Sequence, residues 1–255
     1  MPNHTTFLTY LFAMFPALQQ NAHNLGSSFI GHHDPTWRSW EPLLTSLIVM
    51  VGVILLAWQA RTKLQDVERA VVPDDTLTLR TFMEAFVGFF YGLTRDVMGP
   101  KRAKRYFPVV GASACFVFFA NVLALIPGLA PPTSNLTITL GCALVVFILF
   151  NFYGLQANGW AYIKHMAGPK WYLAWLIFPI ELISICVRPV TLSVRLFVNL
   201  AVDHLLGAIV FGMVALLLPI PLMLLGCIVI VVQTLVFSLL TAIYIGLATE
   251  HEEHA

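Results

Sequence analysis

Long apolar segments separated by short polar ones dominate the chain. Five of them cover residues 43–60, 106–127, 136–155, 171–218 and 222–249. A helix that crosses a bilayer needs about 20 mostly apolar residues, so each segment has about the necessary length. The fourth is longer than one crossing needs and contains Pro179 and Pro189. This pattern predicts an all-α polytopic membrane protein with about five membrane-embedded helices.

Two proline-containing turns set the predicted connections. The uncharged stretch GLAPPTSN joins the second and third segments, and PIP at 219–221 separates the last two. Proline stops a helix, and a short turn makes its flanking helices antiparallel. We therefore predict an antiparallel hairpin from 106–127 and 136–155, and a break in the helix between 171–218 and 222–249. Residues 1–42 are interpreted as an outer N-terminal segment, and 43–255 as one membrane domain.

A segment at 78–97 has a different, amphipathic pattern. Arg80, Glu84 and Arg95 fall on the side opposite to a set of apolar residues at helical spacing. That set is Phe82, Phe86, Phe89, Phe90 and Leu93. A helix with one aromatic face and one charged face typically lies along a membrane surface. We predict such a surface helix here.

Composition narrows the class of protein. Hydrophobic residues make up 58% of the chain and charged residues 11%, whereas soluble domains carry about 25% charged residues. A soluble globule and a disordered chain are both excluded. The net charge of +1 indicates no nucleic-acid partner. The four cysteines, which have no CxxC spacing, are expected to be small buried core residues. No motif predicts a catalytic residue, a cofactor or a metal site.

Cationic residues predict the orientation of the chain. Nine Lys or Arg residues lie between Arg61 and Arg105, and Lys164 and Lys170 follow the third span, whereas Arg38 alone lies on the other side. The positive-inside rule then places the N-terminus outside. Five crossings place the C-terminus in the cytoplasm.

Charged residues inside the fourth apolar segment are the main functional signal. They are Glu181, Arg188, Arg195, Asp203 and His204. An ionisable residue at mid-membrane costs about 2.5–3.5 kcal/mol on insertion scales and marks a functional site by default. Glu181, Arg188 and Arg195 are spaced by seven, so they project from one helix face, which Asn199 extends. A guanidinium stays protonated, so Arg195 requires an anion that a partner protein could supply.

Structural explanations remain open for some of these residues. Arg188 and Glu181 could form a structural ion pair, or their side chains could extend to a membrane interface. Gln233 and Tyr244 lie eleven residues apart on one face of the last segment. Such residues are more often interhelical hydrogen-bonding groups than parts of an ion pathway.

The fourth segment also resembles a known sequence signature. PIELISICVRPVTLSVRLFVNLAVDHLL resembles the signature helix of subunit a of F-type ATP synthases. Further similarity lies in EAFVGFF, in RYFPVV followed by FANVLALIPG, in PTSNLTITLGCAL and in VVQTLVFSLLTAIYIGLATE. The resemblance extends over about 79–250.

This resemblance implies roles for individual residues. Arg195 matches the essential arginine that faces the carboxylate of the rotating c-ring, and Asn121 matches an asparagine of the second span. Positions that line or approach two aqueous half-channels are matched by Glu181, Asn199, His204 and Gln233. Arg188 matches a basic position before a proline. Tyr244 and Asp203 are further candidate residues near the predicted ion path. Val198 and Asp203 depart from the family pattern, which has glycine and a small residue there.

The resemblance implies an ion-translocating, non-catalytic subunit of a rotary ATP synthase. It also implies that 171–218 and 222–249 form a long, tilted hairpin beside the ring. The coupling ion would be a proton or sodium, with the proton expected. Implied partners are the c-ring proteolipids, the peripheral-stalk b subunits, the soluble ATPase sector indirectly, and membrane lipid. The implied location is the bacterial inner membrane. Two alternatives stay open: a secondary transporter of an anionic substrate, and a structural subunit of a respiratory complex.

Overall fold

The computed structural model describes residues 41–63, 78–126, 131–159, 171–213 and 219–249. Six α-helices follow one another: α1 Glu41–Lys63, α2 Leu79–Met98, α3 Pro100–Val122, α4 Leu136–Asn158, α5 Trp171–Met213 and α6 Pro219–Ala248. Short 3-10 turns, Leu123–Leu125 and Pro132–Ser134, lie between α3 and α4. No strand occurs within the described ranges. Every helix except α2 contains a stretch long and apolar enough to cross a membrane, giving five candidate spans. The predicted all-α polytopic fold is confirmed.

Some helix bounds differ from the predicted ones. The second apolar segment was expected to begin at residue 106, but α3 begins at Pro100. Its basic residues therefore lie in its first turns. Proline suits the first position of a helix, where its missing N–H would have no partner. Gly99 precedes it with φ 79°, a conformation that glycine adopts without steric cost, so the chain can reverse between α2 and α3.

Helix α2 runs antiparallel along α3. The rings of Phe86 and Phe118 lie 5.0 Å apart, and those of Tyr91 and Phe107 lie 5.2 Å apart. Arg80, predicted on an outward charged face, is only 9% exposed and its Nε donates to Glu84 Oε1 over 2.8 Å. Because α2 packs along the length of α3, the two axes have similar directions. Helix α2 can therefore lie in the membrane plane only if α3 is also strongly tilted from the membrane normal. The surface location of α2 stays a prediction.

Helix α6 contacts α2, α3, α4 and α5 and so lies at the centre of the described fold. One buried cluster lies near its C-terminal end and consists of Met98, Tyr106, Val110, Phe150, Ile185, Ala242, Ile245 and Ala248. We call this the C-terminal cluster. A second buried cluster includes Leu192, Leu196 and Phe237 and joins α5 to α6, α3 and α4.

Polar side chains tie the connections to this core. Thr133 Oγ1 donates to Oδ1 of the buried Asn121 over 2.9 Å, joining the turn before α4 to the end of α3. Asn158 Nδ2 donates to the carbonyl of Ala248 over 3.0 Å, joining the ends of α4 and α6. Asn121, which the resemblance singled out, thus has a structural contact.

The prediction for the cysteines is wrong. Cys115 and Cys142 are half-buried, and Cys186 and Cys227 are exposed on α5 and α6. The prediction assumed that an apolar segment is buried within the chain. In a membrane protein, apolar surface also faces lipid or another subunit, so small apolar residues occur there too.

Candidate functional site

The candidate site lies on α5, which continues through Pro179 and Pro189. At about 100° per residue, positions seven and eleven residues apart point in directions that differ by about 20°. Arg188, Arg195 and Asn199 therefore project from nearly one side. Arg188 and Asn199 are half-buried and Arg195 is exposed.

This polar stripe lies at an edge between two apolar faces of α5. The buried face on one side comprises Ile185, Leu192, Leu196 and Leu200. The exposed face on the other side comprises Val187, Val194, Val198 and Val202, each between 41% and 47% exposed. The stripe thus separates the helix face packed in the core from a face that no described residue covers. We call the second one the valine face.

Arg195 has no acidic partner in the described part of the chain. The ion pair found there joins Arg80 to Glu84, far along the chain from Arg195. Helical periodicity instead places Arg195 at the border of the valine face, where it is exposed. A fixed positive charge beside apolar surface is costly unless an anion compensates it.

Asn199 connects α5 to α6. Its Nδ2 donates to Gln233 Oε1 over 2.7 Å, although 34 residues separate them in sequence. Gln233 is only 4% exposed, and its Nε2 has no hydrogen-bond partner among the described residues. A buried donor without a partner costs about 1–3 kcal/mol, which favours a water molecule there.

An open cavity beside this pair can accommodate that water. Its volume is about 270 Å³, and Asn199, Gln233 and four apolar residues line it. The apolar residues are Val202, Ile228, Val229 and Val232. A water molecule occupies about 30 Å³ of liquid, so several can enter. The cavity therefore joins the two side-chain amides to a space in which water can accept hydrogen bonds.

Arg188 and Tyr244 make the second contact between α5 and α6. The guanidinium carbon of Arg188 lies 5.1 Å from the centroid of the Tyr244 ring, within cation–π distance. From Arg188 to Asn199 the chain advances eleven residues along α5, and from Tyr244 to Gln233 it goes back eleven residues along α6. The two helices are thus antiparallel in one register, and Arg195 lies between the two contacts.

Other polar residues of α6 bond within their own helix. The hydroxyl groups of Thr234, Ser238 and Thr241 donate to backbone carbonyls four residues earlier. Their hydrogen-bonding capacity is used locally, so they are structural in this arrangement.

Three predicted site residues fall outside the described part. Glu181, Asp203 and His204 belong to α5, but their side chains are not among the described ones. Their roles stay predictions. The structure brings together Asn199 with Gln233 and Arg188 with Tyr244. Sequence reasoning had placed each pair's members on a helix face but had not paired them.

Comparisons with known proteins show the family of the chain. Residues 43–246 match the family model described as ATP synthase A chain. A protein of Sorangium cellulosum named ATP synthase subunit a is 63% identical over all of both chains. Proteins of the same name from Aliarcobacter butzleri and Citrifermentans bemidjiense are 38% and 36% identical, over 88% and 95% of this chain and 95% and 97% of their own. The family match covers all of the candidate site, and the chain belongs to the ATP synthase A chain family.

Proposed function

We propose that this chain is the ion-translocating stator subunit of a rotary ATP synthase and that it carries out no catalysis by itself. The proposal is supported by the family membership and by one observation above all. Arg195 is exposed at the edge of an apolar face, and no described carboxylate pairs with it. The anion that this charge requires would come from a partner, the carboxylate of a c subunit.

The proposed contact surface is the valine face of α5 together with Arg195. The apolar residues would pack against the outer helices of the c-ring, and the guanidinium would meet each carboxylate as it passes. Two charges about 4 Å apart attract by about 4 kcal/mol at an effective dielectric constant of about 20. Arg195 would therefore favour the ionised carboxylate, so that the carried ion leaves.

The proposed path has two aqueous half-channels, with Arg195 between them. An ion would enter one, neutralise a c-subunit carboxylate, travel with the ring and leave by the other. The guanidinium would repel cations that might pass directly between the channels. A charge moving down a potential of 100 mV releases about 2.3 kcal/mol, and rotation of the ring would collect it.

The cavity at Asn199 and Gln233 supports a place for part of one half-channel, because it offers a buried amide donor and room for water. Glu181 and His204 are proposed to relay protons, and Asp203 to lie beside them. Both carboxylates and imidazoles can be tuned towards neutral pH by burial and neighbouring charges. The proposed coupling ion is the proton.

Replacing Arg195 in the assembled complex tests the proposal. We expect Arg195→Ala to lower ATP-driven proton uptake into membrane vesicles by at least about 100-fold, because removing one partner of a desolvated ion pair costs about 3–5 kcal/mol. Arg195→Lys should also fail, since a buried lysine can lose its proton. The readout is quenching of a pH-sensitive dye, with complex content measured by immunoblot.

The matched control is Arg95→Ala, which removes an exposed arginine of α2. This variant should pump as the wild type does. Normal pumping by Arg195→Ala at equal complex content would contradict the proposal.

A further inference from the structure

The contact between Arg188 and Tyr244 is a cation–π contact between two helices. Arg188 is half-buried, and no described carboxylate lies within ion-pair distance of it. A described group that can compensate its charge is the negative face of the Tyr244 ring, 5.1 Å away. Among the described residues, the guanidinium is therefore held against an aromatic ring.

Tyr244 is itself fixed by the interior. It is half-buried, packs on the C-terminal cluster, and its ring centroid lies 5.9 Å from that of Phe150 on α4. Phe150 is fully enclosed. Arg188 thus connects α5, by way of one ring, to the C-terminal cluster, which contains residues of α3, α4 and α6.

The contact between Arg188 and Tyr244 restricts the direction in which Arg195, on the same helix, can project. The buried face of α5 packs in both core clusters, but apolar contacts are non-directional and leave small rotations about the helix axis poorly fixed. Two contacts on the same side, eleven residues or about 16 Å apart, restrict that rotation. Arg188 with Tyr244 and Asn199 with Gln233 are two such contacts, and Arg195 lies between them.

We propose that Arg188 is a positioning residue: its cation–π contact with Tyr244 fixes the rotation of α5 and so the direction in which Arg195 projects. The inference rests on the proposed function, because the direction of Arg195 matters only if Arg195 is presented to a partner. In this role Arg188 needs no contact with the translocated ion. The role requires only a cation at position 188 opposite an aromatic ring at position 244.

Variants of Tyr244 separate this role from others. Tyr244→Phe keeps the ring and its negative face but removes the hydroxyl group, whereas Tyr244→Leu removes the ring. In the assembled complex we expect ATP-driven proton pumping within about twofold of wild type for Tyr244→Phe, since cation–π attraction resides in the ring. For Tyr244→Leu we expect a loss of at least about tenfold, the cost of about 1.4 kcal/mol in orientation.

A direct measure of helix rotation accompanies the activity. Single cysteines are introduced at Val190, Thr191, Val194 and Val198, exposed positions that differ in direction around α5. The four native cysteines are replaced by serine. Disulfide formation with a cysteine beside the c-subunit carboxylate then reports which side of α5 faces the ring.

The proposal expects Tyr244→Leu to move the strongest cross-link to a different α5 position while the amount of assembled complex is unchanged. Tyr244→Phe should leave the cross-link pattern as in the wild type. An unmoved pattern in Tyr244→Leu would overturn the positioning role, as would a Tyr244→Phe variant that loses pumping as completely as Tyr244→Leu. Two further variants, Arg188→Lys and Tyr244→Trp, keep a cation opposite an aromatic ring. If the complex with Tyr244→Leu is lost from the membrane and the complexes with these two variants are lost equally, the positioning role is overturned as well.

These outcomes are separate from those of the proposed function. If a cysteine at Val198 in the otherwise wild-type chain forms no cross-link to the ring, the proposed function fails. If it cross-links but Tyr244→Leu shifts nothing, only the positioning role fails.

Discussion

Gln233 shows how one side chain can be both a structural link and an incomplete site. Its Oε1 accepts a hydrogen bond from Asn199, while its enclosed Nε2 has no partner among the described residues. A polar atom left in this state is unusual, because most buried polar groups are satisfied. The adjoining cavity gives water access to the amide without breaking the contact between α5 and α6.

Replacing this amide with an apolar group tests its part in ion conduction. We expect Gln233→Leu to slow passive proton flux through the membrane sector by about tenfold, since a lost buried hydrogen bond and an unpaired Asn199 amide cost about 1–3 kcal/mol. The flux is measured in vesicles stripped of the soluble ATPase. The control is Thr234→Val, because the Thr234 hydroxyl donates to the carbonyl of Ile230 in its own helix. Equal flux in wild type and Gln233→Leu would exclude the amide from the path.

Sequence spacing predicted the shared side of Arg188, Arg195 and Asn199, because helical periodicity fixes direction around the axis. It could not predict the partners of Arg188 and Asn199. Those depend on the register between α5 and α6, which is set by packing over many residues. The predicted alternative partner of Arg188, Glu181, has a side chain outside the described ones, so that pairing stays a prediction. Among the described residues, an aromatic ring of another helix lies against Arg188.

Among the helices, the corner formed by α2, α3 and α6 depends on a glycine. Gly246 lies where α6 passes Met98, and a Cβ atom at this position would come within 3.2 Å of Met98 Cγ. Met98 is fully enclosed in the C-terminal cluster, so it has little room to move. The absence of a side chain on α6 thus permits the close approach of the α2 end.

A larger side chain at this position should separate the helices. We expect Gly246→Leu to destabilise the subunit by about 1–3 kcal/mol, as overpacking of a core does. The measurement is the melting temperature of the complex in detergent and its amount in the membrane. Gly141→Leu is the control, because no atom lies within 4 Å of a Cβ built at Gly141. A melting temperature lowered equally by both substitutions would contradict this explanation.

Element boundaries illustrate what local sequence patterns can predict. Apolar length identified the membrane helices, since the bilayer imposes a minimum span. It placed the start of α3 six residues late, because the predicted start excluded the basic residues at 101–105, which form its first turns. The amphipathic pattern of α2 did not reveal that Arg80 turns inward, which follows from the pairing of α2 with α3.

Across the whole molecule, burial varies along α6 and around α5. Helix α6 contacts four other helices, and its buried residues lie from Ile230 to its C-terminal end, whereas most of its preceding described residues are exposed. Helix α5 has one buried side and one valine face that no described residue covers. Between these sides lies the stripe with Arg195. In the proposed arrangement, α6 holds the site in the protein interior and α5 presents Arg195 to the ring.

Cross-linking of Val198 to the ring tests the proposed partnership most directly. Val198 is 43% exposed, lies on the valine face and is three residues from Arg195. A cysteine at Val198, in a background without native cysteines, is paired with a cysteine one helical turn from the c-subunit carboxylate. The control is a cysteine at Val145 on the exposed side of α4. We predict a disulfide between the ring and position 198, and none with position 145. Failure of position 198 to cross-link at any rotational position of the ring, or equal cross-linking from position 145, would contradict the proposal.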